Sequence, residues 1–79
     1  MDFCKDLGTR LRQLRKRKGY LVWEVANCCG VNPKDIGDVE RGEMLPNYTL
    51  FQDMCSALGT STSEVMKAYR WVYTPPKAV

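Results

Sequence analysis

Residues 22–42 read VWEVANCCGVNPKDIGDVERG, and this stretch decides the fold. It divides into two short helices joined by one tight turn. Ala26 and Gly30 stand four apart. A methyl at 26 lets a second helix approach closely, and a glycine at 30 can adopt the positive φ that ends a helix and turns the chain. Val31 continues into the turn. Asn32-Pro33-Lys34-Asp35 then carries the marks of a helix start: an Asn at the cap, a proline at the first helical position and an acid at the third. Ile36 and Val39 fall on one face, and Gly42 offers another left-handed stop.

Two helices about a central glycine within about twenty residues make the helix-turn-helix layout. Upstream, Phe3, Leu7, Leu11 and Leu14 recur at helical spacing, so residues 3–18 form an amphipathic helix that Gly19 ends. Tyr20 is expected to turn inward. The second helix, over 22–29, directs Val25, Ala26 and Cys29 at the core, although Leu21 stands where a capping oxygen is expected. The third covers 33–41, and Gly37 inside it costs roughly 1 kcal/mol relative to alanine. Downstream, GEMLP at 42–46 is a loop closed by a proline. Asn47 caps a fourth helix with Phe51, Met54, Cys55 and Leu58 as its inner stripe and Gly59 as its stop. Ser61 and Glu64 form a capping box for a fifth. Its apolar side holds Val65, Met66, Tyr69, Val72 and Tyr73, and Thr74-Pro75-Pro76 ends it. The expectation is an all-α bundle of five helices, one domain over residues 1–74 with its motif at 22–41, and a short tail over 75–79.

The 79 residues suffice for one core, and 44% hydrophobic with 10% aromatic content argues against disorder. No run approaches about 18 uninterrupted apolar residues, so no membrane span is expected. The opening MDFCKDLG lacks the layout of a secretory signal, which places the chain in the cytosol. Cys4, Cys28, Cys29 and Cys55 include no C-x-x-C pair and the chain has no histidine, spacings that argue against zinc. Cys29 and Cys55 read as small buried hydrophobes. No cofactor is expected. Without histidine, a phosphate loop or a nucleophile paired to a base, an enzyme is not expected either.

The net charge of +3 is unevenly placed. Residues 1–20 hold seven bases against two acids, and the remainder five bases against seven acids. A strong local excess suggests an anionic partner for one face, against the simpler reading of a solvated basic helix.

The layout resembles the phage-repressor and Cro type of helix-turn-helix domain, the XRE family. The matching elements are LRQLRKRKG at 11–19, A-x3-G-V at 26–31, I-x2-VERG at 36–42, Pro46 and ALG at 57–59. The resemblance implies a lambda-repressor-like bundle of five helices and a regulator that binds operator DNA as a two-fold dimer. In that arrangement the third helix enters the major groove and the start of the second meets a phosphate. By resemblance, Arg15 and Glu40 form a structural ion pair tying the first helix to the recognition helix. Mapped residue by residue, the base-facing positions are Pro33, Lys34, Gly37 and Asp38, with Asn32 and Asp35 beside them and Arg41 at the far end. Lys34 suits a guanine, and Asp38 a cytosine amino group.

Some residues pull against that mapping. Over 32–43, Lys34 and Arg41 stand against Asp35, Asp38, Glu40 and Glu43, an acidic balance facing phosphates. Val22 and Trp23 stand where the family often has a phosphate-binding Gln, and Glu43-Met44-Leu45 fills a loop that is often basic. Val22, Trp23, Met44 and Leu45 therefore suggest an apolar patch for a protein partner, as in an antirepressor or accessory subunit. Alternatively, Trp23 merely covers the first helix. Arg12, Lys16 and Arg17 reach flanking phosphates only if their face turns toward the duplex. Trp71 and Tyr73 suit either a homodimer contact or a tail folded over its own core.

Overall fold

A computed structural model of the protein describes residues 3–67. Five helices follow in order: α1 (Phe3–Lys18), α2 (Val22–Cys29), α3 (Pro33–Glu40), α4 (Tyr48–Ala57) and α5 (Thr62–Val65). No strand occurs among the described residues, so the fold is the all-α bundle expected. Tyr69, Val72 and the candidate dimer residues Trp71 and Tyr73 lie outside the described residues, as does the tail. The third helix stops one residue short of expectation, because Arg41 serves as its cap with φ −81° and ψ −5°.

Glycine sets each turn. At Gly30, φ is 68°, its N–H donates to Asn27 O at 3.3 Å, and the Val31 N–H donates to Ala26 O at 3.1 Å. That pair of bonds is the Schellman closure, and it recurs after α1, α3 and α4 at Gly19, Gly42 and Gly59.

Helix starts are less uniform. Asn47 Oδ1 accepts from the Leu50 N–H at 2.8 Å, and Ser61 Oγ accepts from the Glu64 N–H at 3.2 Å. Asn32 occupies the cap position of α3 but makes no side-chain cap bond, contrary to expectation. There the start is held by the preset φ of Pro33 and by Asn32 O, which accepts from the Asp35 N–H at 2.9 Å. The Leu21 side chain supplies no oxygen to α2; its carbonyl accepts from the Glu24 N–H at 3.0 Å, and Glu24 Oε1 reaches back and accepts from the Leu21 N–H at 2.7 Å. Half of a capping box thus closes a helix whose cap side chain has no acceptor.

The core forms where α3 packs on α1 and α2, and α4 packs on α2 and carries α5. Leu11, Ile36 and Phe51 are completely inaccessible, and Leu7, Val25, Ala26, Val39 and Met54 fill the space around them. Burying each of the larger side chains contributes about 1.5–3 kcal/mol. Tyr20 does not turn inward: it is 40% exposed, and its N–H donates to Arg15 O at 3.1 Å. The crossing of α1 and α3 depends on Gly8. A Cβ there would overlap Val39 O and stand 2.7 Å from Glu40 O, so α1 and α3 approach along this glycine.

Candidate nucleic-acid interface

The inner stripe of α3 is Ile36 and Val39, both buried, which turns the opposite side of the helix to solvent. What fixes its position is the ion pair at its end. Arg15 Nε donates to Glu40 Oε2 at 2.6 Å and Arg15 Nη2 donates to Glu40 Oε1 at 3.0 Å, both buried bonds. The remaining Arg15 nitrogen, Nη1, donates to Tyr20 O at 2.8 Å. Hydrogen bonding to Glu40 raises the Arg15 pKa above its ordinary value against the opposing effect of burial. One side chain therefore locks α1, the connection after it and α3 together. The pair inferred by resemblance is present, bidentate and satisfied.

On the outer side, Asn32, Pro33 and Lys34 are exposed, and Asp35, Gly37 and Asp38 are half-buried. Lys34 Nζ donates to Asp38 Oδ2 at 2.9 Å, and Arg41 Nη2 donates to Asp38 Oδ1 at 2.5 Å. Arg41 Nε also donates to Glu43 Oε1 at 3.0 Å. The hydrogen bond from Lys34 holds the Asp38 carboxyl below the usual carboxylate range, and the same bond raises Lys34. These pairs leave the acidic balance of the segment as read from the sequence; Arg15 of α1, by pairing with Glu40, lowers it by one charge. Asp38 is not a free repelling charge: two cations already occupy it.

The apolar patch is smaller than expected. Val22 and Met44 are half-buried against the core, whereas Trp23 is 56% and Leu45 51% exposed. Leu21, at 56% exposure, joins the exposed apolar residues unforeseen.

An open concavity of about 310 Å³ lies where α1, α2 and α3 meet, lined by Arg12, Arg15, Val22, Gly37, Glu40 and Arg41. Arg12 of α1 therefore borders the same hollow as Gly37 and Arg41. A second, largely apolar hollow of about 170 Å³ opens beside Tyr20, Glu24, Val25, Cys28 and Ala57. No group of three or more metal-binding side chains occurs among the described residues, and no described helix is long and apolar enough to cross a membrane.

A five-helix bundle that presents the polar side of its third helix is a helix-turn-helix DNA-binding regulator in class. The chain belongs to the helix-turn-helix domain family, whose sequence profile matches residues 6–67. It is 36% identical over 58 residues to an uncharacterized HTH-type transcriptional regulator of Bacillus subtilis, YazB, spanning 73% of this chain and 84% of that one. A second regulator so described, y4dJ of Sinorhizobium fredii, is 30% identical over 66 residues, spanning 84% and 86%. Among solved structures, the clp gene regulator ClgR of Corynebacterium glutamicum superposes with a TM-score of 0.77 at 33% identity, covering 80% of this chain and 67% of that one. The restriction-modification controller protein C.AhdI of Aeromonas hydrophila gives 0.75 at 29% identity, covering 78% and 94%.

Proposed function

We propose that this helix-turn-helix regulator reads duplex DNA in the cytoplasm by laying α3 in the major groove, as a two-fold pair of chains. The observation that carries the reading is the state of the outer side of α3. Its lysine is exposed and its central acid is already neutralised by neighbours on the same helix. In the proposed complex Lys34 donates to a guanine, Asp38 accepts from a cytosine amino group, and Pro33 and Gly37 admit the base edges closely. Asn32 and Asp35 adjust the helix start, and Arg41 reaches phosphate. A surface ion pair is worth about 0–1 kcal/mol, whereas a well-formed base contact discriminates by about 1–3 kcal/mol, so exchanging Asp38 for a guanine at Lys34 is favourable. The relatives described as HTH-type transcriptional regulators support the same assignment.

Selection of bound duplexes from a random library tests this directly. Wild-type protein is expected to retain a defined sequence with steep salt dependence. Lys34→Ala should weaken that site about fivefold to a hundredfold, chiefly at one base pair. No duplex retained at about 50 mM salt overturns the reading. The exposed Trp23 and Leu45 favour a second reading, in which the scaffold binds a protein.

A further inference from the structure

We propose that Arg12 of α1 and Arg41 at the end of α3 together clamp one backbone phosphate of the duplex, in the concavity between α1, α2 and α3; this rests on the DNA reading above. Three guanidiniums and one carboxylate line the hollow. Arg15 and Glu40 cancel, since both carboxylate oxygens accept from Arg15 and its third nitrogen donates to Tyr20 O. Arg12 carries the uncompensated charge, and Arg41, though paired to Asp38 and Glu43, adds a nitrogen that neither carboxylate occupies.

Arg12 is exposed and makes no hydrogen bond or ion pair with any described residue. Arg41 is partly engaged through Nε and Nη2, but Nη1 is not among its bonded atoms. That nitrogen lies over Gly37: a Cβ at 37 would stand 2.9 Å from it, so the missing side chain is what lets the guanidinium fold back against the helix and line the hollow. Two planar forks on different helices, one unpartnered and one with a free edge, match the two anionic oxygens of a phosphodiester. Val22, the first residue of α2, forms an apolar wall and competes for no oxygen. Because Gly37 and Arg41 belong to the recognition segment itself, an anion held here lies alongside α3. A phosphate of the duplex being read is the group that arrives at that place.

The test measures affinity of the full chain for selected and unrelated duplexes across a range of salt. Arg12→Gln is expected to weaken both classes by the same factor and to reduce the slope of log affinity against log salt by about 0.9, the signature of one lost phosphate contact. Replacing phosphates one at a time by neutral methylphosphonates should reveal one position that weakens the wild type and leaves Arg12→Gln unaffected. Equal response of the two proteins at every position, with an unchanged slope, overturns the clamp while leaving the DNA reading intact. If the wild type binds no duplex, the DNA reading falls and inorganic phosphate decides the site. Arg12 and Arg41 Nε–H resonances that move on phosphate titration sustain an anion site of another source, and resonances that stay fixed overturn it.

Discussion

Arg15 donates through all three of its guanidinium nitrogens to partners on two other segments, so its neighbours have no substitute for it. Replacing Glu40 by alanine leaves that charge buried and unpaired, and should lower unfolding free energy by about 3–5 kcal/mol in urea titrations. Arg15→Met with Glu40→Leu should recover much of the loss, because an apolar pair strands nothing. Since the Arg15 pKa is raised, its stabilising contribution is complete below the ordinary guanidinium value and is lost only above it, beyond the range of ordinary assays. The cysteines sort by the same logic of burial. Burial foremost, then the neighbouring Cys29, pushes the Cys55 thiol up to about 12; burial, with Asp53 and Cys28, pushes Cys29 up to about 11. Raised thiol values favour the folded state below the ordinary value and lose that advantage as pH climbs toward the folded one. Between pH 9 and 10.5 the wild type should therefore lose roughly 2 kcal/mol more than Cys55→Ala in urea titrations at the two pH values. The exposed Cys28 should react with a disulfide reagent at pH 8 long before Cys55 does.

At the scale of elements, two glycines inside helices make opposite demands. A methyl at Gly8 would be driven into the backbone oxygens of Val39 and Glu40, which cannot step aside without separating α1 from α3. Gly8→Ala should cost about 3 kcal/mol despite its gain in helix propensity. A methyl at Gly37 meets only the tip of the Arg41 side chain, which can swing away. Gly37→Ala should be neutral or stabilising by up to about 1 kcal/mol in thermal melts, so the pair of melts tests which glycine is structural. The contrast also shows what the sequence could disclose. Helix bounds and turn glycines were legible because apolar spacing and C-terminal glycines are local signals, and a backbone bond closes each one. Gly8 went unremarked: it sits in an otherwise regular helical stripe, and only the approach of a distant helix gives it meaning. A glycine inside a strong helical pattern was the available sign. Asn32 misled in the other direction, because proline at the next position fixes the helix start without an Asn side-chain bond.

Across the whole molecule, a charge count confined to residues 32–43 omits Arg15, which comes from α1 to pair with Glu40. Lys34, Asp38, Arg41 and Glu43 form one chain of pairs on a single surface. The apolar patch was misjudged for a related reason: residue type could not say that Val22 and Met44 lean on the core while Trp23 stands clear. Trp23 now separates the two readings of the molecule. It follows Val22 in the first turn of α2, and Val22 walls the concavity assigned to phosphate. If DNA lands there, the exposed indole loses water contact as the backbone settles. In a Trp71→Phe background, saturating duplex should reduce acrylamide quenching of Trp23 and shift its emission. Trp23→Ala should leave the melting temperature nearly unchanged, because a side chain 56% exposed contributes little to the core, within about 0.5 kcal/mol. DNA affinity should fall only modestly, since an indole offers a phosphate backbone little beyond its single N–H. The protein-binding reading requires another pattern: quenching that ignores DNA, and a pull-down abolished by Trp23→Ala and by Leu45→Ser while the fold persists. Emission that DNA leaves unchanged, beside an affinity Lys34→Ala does not alter, would rule out α3 and the start of α2 as the surface that meets DNA.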